Sequence, residues 1–516
     1  MNKSLRLSSA ANRQAHDVRR LEGLINASWC TGGLTMDAKR IFIRLHTGVA
    51  LACGMGLSAC ASFSGDSGMG AVVGIAQHDL KKNVVFVQNE TEAFQARNRV
   101  KSLLRKPLTV DAAVQIALLS NRGLQAAYNE LALAEARRVE SSLPPNPRFS
   151  IARIASAAET EIETQVVINI LALATLPIRT DIAADRFRQA QLQAAEETLR
   201  VAADARRAYY RTVAARELVR LLTQAKSTAE STAQLAKQLG ETGSLNKLDQ
   251  AREQAFYAET TAELAVARQN EISEREDLVR VLGLWGKDLN FKLPDTLPAL
   301  PRRPRTLPGI EVEAVRKRLD LQVARLELAA LAKSYGLTQA TRFINLLAAG
   351  PDFKTTKDRE KGEVIRDRGF DVEFQIPLFD FGEVRVRQAE QSYMQAANLL
   401  LQKAVNVRSE AREAYRIYRS TYDIAEHYRR DILPLRKIIS DESQLRFGAM
   451  QIDVFALLVE ARQRIAVNRA GIEAKRAFWL ANANLLAAIS GGRTPRNIEG
   501  SGQTVTATTA PSGQGD

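Results

Sequence analysis

From Thr180 to Gln238 the chain holds neither proline nor glycine. Nothing in that stretch interrupts an α-helix, and about sixty residues at the usual rise reach about 90 Å. Ordinary globular helices run three or four turns. A rod of this length cannot fold into a compact core, so it needs a partner of matching length. The sequence supplies one. Gly243-Ser244-Leu245-Asn246-Lys247-Leu248-Asp249 reads as a tight turn, and Asn246 to Leu282 as a returning helix. About two hundred residues later the pattern recurs. Glu383 to Phe447 reads as a second rod with Pro434 as its kink, Gly448-Ala449-Met450-Gln451-Ile452-Asp453 as its turn, and Ile452 to Ile489 as its return. Recurrence on this scale marks an internally duplicated architecture.

The helices are of a packing kind. Ala, Leu, Arg, Gln and Glu dominate them, and aromatic residues make up 6% of the chain, which favours long bundles over an aromatic core. Leu458, Ala461, Ile465, Asn468 and Ile472 follow the alternating three–four spacing of a coiled coil. Leu108 to about Ser142 reads as one amphipathic helix, capped by Thr109 and ended by Pro144-Pro145. Gly243 and Gly448 stand where a rod reverses and a permissive backbone is needed.

Each half also carries a period-two segment. Ile162, Thr164, Val166, Ile168 and Ile170 alternate with Glu161, Glu163, Gln165, Val167 and Asn169. Phe370, Val372, Phe374 and Ile376 alternate with Asp371, Glu373 and Gln375. Such patterning makes a strand apolar on one face and polar on the other. It fits a half-buried strand of a soluble sheet, and equally a membrane-barrel strand with lipid on one side and water on the other. Pro147 to Ala155 and Arg342 to Ala349 read as partners, giving one hairpin per half, about 147–171 and 342–377. Pro351 to Arg368, dense in charge, reads as an exposed loop. Four strands cannot close a barrel, and open edges are not tolerated in lipid. Placed in a membrane, these strands require an oligomer.

The net charge of +14 is partly N-terminal. The first 59 residues carry 8 Lys/Arg against 3 Asp/Glu, leaving about +9 for the rest. Those cations are scattered among acids along helices, with no aromatic-interleaved basic patch, so nucleic acid is not an expected partner. His16, His46, His78 and His427 are dispersed, and no nucleophile elbow, phosphate loop or zinc-protease motif occurs. The chain reads as no enzyme, with no cofactor and no metal site.

All three cysteines, Cys30, Cys53 and Cys60, lie in the first sixty residues, so the body has no disulfide framework. Lys39, Arg40 and Arg44 precede an apolar run from Thr47 to Leu57 that is too short to span a bilayer. It ends in Leu57-Ser58-Ala59-Cys60, which resembles the lipobox of bacterial lipoproteins. That resemblance implies lipidation at Cys60, with Ala61 after it fitting an outer-membrane destination. Residues 1–35 precede the charged region and read as an extension outside the fold, 36–59 as the signal peptide and 60–107 as an N-terminal tether. The first repeat then covers 108–293. Pro294, Pro298, Pro301, Pro304 and Pro308 mark a stiff linker over 294–309. The second repeat covers 310–490, and the Gly/Ser/Thr-rich tail at 491–516 reads as disordered.

Helix, hairpin, long helical hairpin, linker and the same again resemble the outer-membrane factor family, the TolC-like channels of efflux and type I secretion. Leu108-Thr109-Val110-Asp111-Ala112-Ala113-Val114 resembles the family's opening helix. Phe374-Gln375-Ile376-Pro377-Leu378-Phe379-Asp380-Phe381-Gly382 resembles its strand-to-helix transition, with Leu176-Pro177-Ile178 as a weaker counterpart. Phe447-Gly448 followed by Asp453-Val454 resembles a helical tip. Phe478-Trp479-Leu480-Ala481-Asn482-Ala483-Asn484 resembles the closing helix of members linked to metal efflux.

The resemblance implies a mainly α fold with a small membrane β part. Three chains, four strands each, would close a twelve-stranded β-barrel continued by a trimeric α-barrel. It implies a passive exit duct in the outer membrane, docked to a periplasmic adaptor and loaded by an inner-membrane pump. Gly243 and Gly448 would mark the adaptor-docking tips. Asp453 aligns with a carboxylate that rings the closed periplasmic entrance, while Ala456 stands at the next such position. Three carboxylates around one axis would favour cations. Asp453 and Asp249 also fit helix caps. A periplasmic adaptor or other structural coiled-coil protein is the rival class, and a duct for type I protein secretion is a second alternative. Adaptors hold one helical hairpin; this sequence holds two, with paired strands.

Overall fold

The computed structural model describes residues 62–491. The chain divides into two units, 1–62 and 63–516, and the second holds every described helix and strand. The segment before Cys60, Cys60 itself and the tail after Gly491 lie outside the described residues.

The described chain opens with α1 (Gly70–Ile75, continued by a π turn Ala76–Leu80) and α2 (Glu90–Leu104). The stretch expected to be a tether is therefore largely helical and packed. Met69, Val72, Ala76 and Leu80 are buried in the core, and Ser64 donates from both N and Oγ to the buried Glu135 carboxylate, at 2.7 and 2.5 Å. The expected single helix from Leu108 is two: α3 (Val110–Ser120) and α4 (Arg122–Ser142). Thr109 caps the first as expected, accepting from Ala112 N at 3.2 Å. The break is at Asn121, whose side chain caps α4 through Leu124 N at 3.0 Å and donates to Val281 O at 2.8 Å. A side chain that satisfies two backbone groups at once outweighs one continuous helical turn.

After β1 (Arg148–Ala155), β2 (Glu159–Asn169) and a short α5 (Ile170–Ala174), the chain enters α6 (Leu176–Glu241), 66 residues without interruption. Buried Ala225, Ala229, Ala233 and Ala236 line the lower part of α6, and small side chains at this spacing let α7 (Lys247–Leu282) approach closely. The second half runs α8 (Ile310–Lys317), α9 (Leu319–Ala340), β3 (Leu346–Asp358), β4 (Val364–Gln375), α10 (Glu383–His427), a π turn (Tyr428–Ile432), α11 (Leu433–Gly448) and α12 (Val454–Ser490). The segments α10, π turn and α11, of 45, 5 and 16 residues, together equal α6 in length. Pro434 is the second residue of α11, and its missing N–H accounts for the π turn just before that helix. The returning helices α7 and α12 differ by one residue, 36 against 37.

The upper helices lie side by side in the order α4, α6, α9, α10. The proline-rich linker runs extended, as expected, but it is also a packed element. Leu297 is buried, Trp479 Nε1 donates to Pro298 O at 3.0 Å, and Tyr418 OH accepts from Arg305 N at 3.1 Å. Trp479 stacks on Tyr210 at 5.1 Å and meets Phe478, which contacts Tyr418 and Tyr422. This aromatic cluster fastens the linker to both halves.

Candidate functional site: the sheet and the helical tips

The four strands form one antiparallel sheet in the order β1-β2-β3-β4. The seam between the halves is β2 against β3, with Thr164 opposite Phe353 and Ile168 opposite Ala349. Gly350 sits at that seam, where a Cβ would fall 1.6 Å from Val166 O, so no larger residue fits without moving a strand. The expected loop from Pro351 to Arg368 is mostly strand: β3 runs to Asp358 and β4 starts at Val364. Charge density there was the misleading signal. In β4 the sign of the charge alternates from face to face, Arg366 and Arg368 against Asp367, and Lys354 pairs across strands with Glu161.

Register sorts the side chains. One face carries Phe149, Ile151, Val166, Ile168, Phe353, Phe370, Val372 and Phe374. The other carries Glu161, Glu163, Gln165, Asp352, Asp371 and Glu373. Phe149 is 69% exposed and Phe374 62%, so the apolar face is uncovered by this chain. At the sheet-to-helix junction Phe343, Phe379 and Phe381 also stand exposed. The outer edges of β1 and β4 have no strand partner among the described residues. No described helix is long and apolar enough to cross a membrane, which leaves the sheet untouched as a spanning element.

At the far ends of the rods the two turns differ. Gly243 adopts φ +75°, the left-handed backbone that favours glycine. Gly448 does not: it ends α11, and the left-handed residue is Met450, φ +57° and 94% exposed. The need for a permissive backbone thus falls two residues after the glycine that sequence pointed to. Asp453 caps α12, its Oδ1 accepting from Ala456 N at 2.7 Å. Asp249 is not a cap. Asn246 caps α7 through Asp249 N at 2.9 Å, and the Asp249 carboxylate accepts from Asn246 Nδ2 at 2.7 Å and from Arg252 at 3.0 Å. Cap and third helical residue hold each other, the carboxylate taking the Asn246 side-chain amide where a capping box would take the backbone N–H.

Sequence reasoning missed the link between the tips. Arg462 of α12 donates to Glu253 Oε1 and to Arg252 O, both at 3.0 Å, and lies 4.3 Å from the Phe256 ring centre. Farther from the tips Arg469 reaches Glu263 at 3.3 Å. Burial raises the Glu253 pKa, and the Arg462 charge pulls it the other way. Glu and Arg two hundred residues apart carry no local signal that they meet. Among the described residues no group of His, Cys, Asp and Glu is placed to hold a metal ion.

No protein-family model matches the chain. The cobalt-zinc-cadmium resistance protein CzcC of Cupriavidus metallidurans is 25% identical over 308 residues, covering 55% of this chain and 68% of that protein. The Campylobacter jejuni CmeC outer membrane channel superposes with a TM-score of 0.63 at 15% identity, over 80% of this chain and 89% of that one. The open-state MtrE outer membrane channel of Neisseria gonorrhoeae gives 0.60 at 15% identity, over 74% and 89%. The resemblance read from the sequence is borne out at the level of fold: mostly helix, one small antiparallel sheet, arranged as in these channels.

Proposed function

We propose, from the fold this chain shares with outer-membrane channels, that it is the outer-membrane exit duct of an efflux system. The observation that carries the reading is the sorted sheet: apolar on one face, acidic and amide-bearing on the other, with both edges open. Three copies joined β4 to β1 would close twelve strands, put the apolar face to lipid and leave the acidic face to water. The equal rods α6 and α10–α11 would continue that barrel as an internally duplicated helical duct across the periplasm. No chemistry is done by the chain; an inner-membrane pump would supply energy and a periplasmic adaptor would dock on the tips at Gly243 and Gly448. Lipidation at Cys60 would add an anchor. Only three residues separate Cys60 from Ser64, which is pinned to Glu135 about two turns before α4 feeds the sheet.

Asp453 and Asp249 serve the gate in this reading as a carboxylate ring at the periplasmic end, over and above the local hydrogen bonds they make. The acidic luminal face suits positively charged cargo, in line with the relative named for cobalt, zinc and cadmium resistance. Two measurements test the proposal. The detergent-extracted protein should have the mass of a trimer, and planar bilayers should show conductance steps. A monomer that leaves bilayers silent and fractionates as a soluble protein would end it.

A further inference from the structure

The two faces of the sheet differ in charge as sharply as in polarity. Cross-strand register puts Arg153, Ile162, Thr355 and Arg366 in one row of the apolar face. Arg368 stands beside Phe353 on the helix side of that row, and Lys357 beside Val364 on the loop side. All four cations are exposed, and none forms an ion pair with any described residue. The acids at the same height, Glu161, Glu163 and Asp367, alternate to the opposite face, where Lys354 meets Glu161. Below the cations the outward face is apolar through Phe149, Ile151, Phe370, Val372 and Phe374. From Arg368 to Phe374 is about 20 Å along the strand, or about 15 Å of height at a tilt near 40°, a little over half of a barrel's apolar band. Arginine on a lipid-facing strand is costly at the midplane and nearly free at the interface. The row therefore marks where hydrocarbon ends on the side away from the helices.

Arg153 and Arg366 stand on the two edge strands, about 14 Å apart, with Arg368 two residues from Arg366; guanidinium groups bind phosphate with paired hydrogen bonds, and phosphate is the anion at a leaflet boundary. We propose that Arg153, Arg366, Arg368 and Lys357 form a docking surface for a phosphorylated lipid of the outer leaflet, a glycolipid with a phosphate at each end of its sugar backbone. The inference rests on reading the sheet as a barrel wall. Closed threefold, the surface repeats three times around the barrel and fixes its depth as well as its lipid neighbours.

The test uses the full chain purified in detergent, with bisphosphorylated lipid A and the same lipid stripped of both phosphates as probes. Retention through size exclusion, or native mass spectrometry, gives the preference. Wild type should favour the phosphorylated form at least about tenfold. Each cation removed should cost about fivefold, so R153S/R366S/R368S should cut the preference about a hundredfold, to what Lys357 alone leaves, and R153K/R366K/R368K should restore part of it. Salt should shrink the preference. Inorganic phosphate at millimolar excess should leave the lipid bound, since acyl chains hold it too; complete displacement would make this a simple anion site and overturn the proposal. Equal retention of both lipids by a wild-type protein that still conducts would overturn the lipid surface and leave the channel standing. A chain that neither inserts nor conducts would remove both.

Discussion

Arg462 of α12 lies 3.0 Å from Glu253 of α7, a side chain 2% exposed, and fastens the tip of one helical hairpin to the tip of the other. The backbones of α7 and α12 otherwise approach each other little, so long side chains carry the link between these two helices. A buried carboxylate that loses its cation is left uncompensated. Arg462→Ala should therefore destabilise the tips by about 3 kcal/mol, and the joint replacement Glu253→Leu/Arg462→Met by much less. Hydrogen exchange at α7 and α12 would measure both; equal losses would show that the pair is not coupled.

The same pair should respond to pH. Burial holds the Glu253 carboxyl above the ordinary glutamate range, against the pull of Arg462. A group whose native pKa is raised binds its proton more tightly folded than unfolded, so stability falls as pH climbs from the ordinary range through the raised value. Tip opening, followed by exchange, should slow on acidification through that window. Glu253→Gln, which cannot titrate, should flatten the response. A wild-type profile as flat as that of the variant would sink the assignment.

The turns should separate two glycines that sequence treats alike. Gly243→Ala forces a side chain into φ +75° and should cost about 1 kcal/mol. Gly448→Ala meets open space at the end of α11 and should be neutral, while Met450→Gly should stabilise its turn. Exchange protection of α6–α7 and α11–α12 gives the three values.

Capping and gating at Asp453 can be told apart. Asn caps as well as Asp, so Asp453→Asn should leave α12 protected, whereas Asp453→Ala should cost about 1 kcal/mol. If the carboxylate also lines a closed entrance, Asp453→Asn should change conductance or cation preference in planar bilayers while the helix stays intact. Unchanged conductance would leave Asp453 a cap alone.

Neighbours on one strand should behave as opposites. Val372→Arg puts a charge on the apolar face and should cost about 2–4 kcal/mol in membrane assembly if it sits near the midplane. Glu373→Arg, one residue on and on the polar face, should assemble and shift ion selectivity toward anions. Yields of trimer after extraction, and reversal potentials, decide it.

Much of this molecule is written locally. The rods follow from missing helix breakers, the kink near Pro434 from a missing N–H, the caps at Thr109 and Asp453 from side chains that bond their own backbone. The strands from Pro351 to Asp358 and from Val364 to Arg368 were hidden because their charges look like a loop until cross-strand partners are known. Asn121 was hidden because its reason for breaking a helix lies 160 residues away, at Val281. Asp249 looked like a cap because Asn246, three residues earlier, does the capping.

The sequence by itself determined the two long helical hairpins and the alternation that makes one sheet face apolar, since each depends on neighbours within a few residues. Only the tertiary structure decided that β2 pairs with β3, that Glu253 meets Arg462, and that Arg153, Arg366 and Arg368 share one side of the sheet while the acids share the other. Those are facts of register and packing between distant segments. Short-range propensity is blind to them, because the free energy that selects them is gained only when the segments touch.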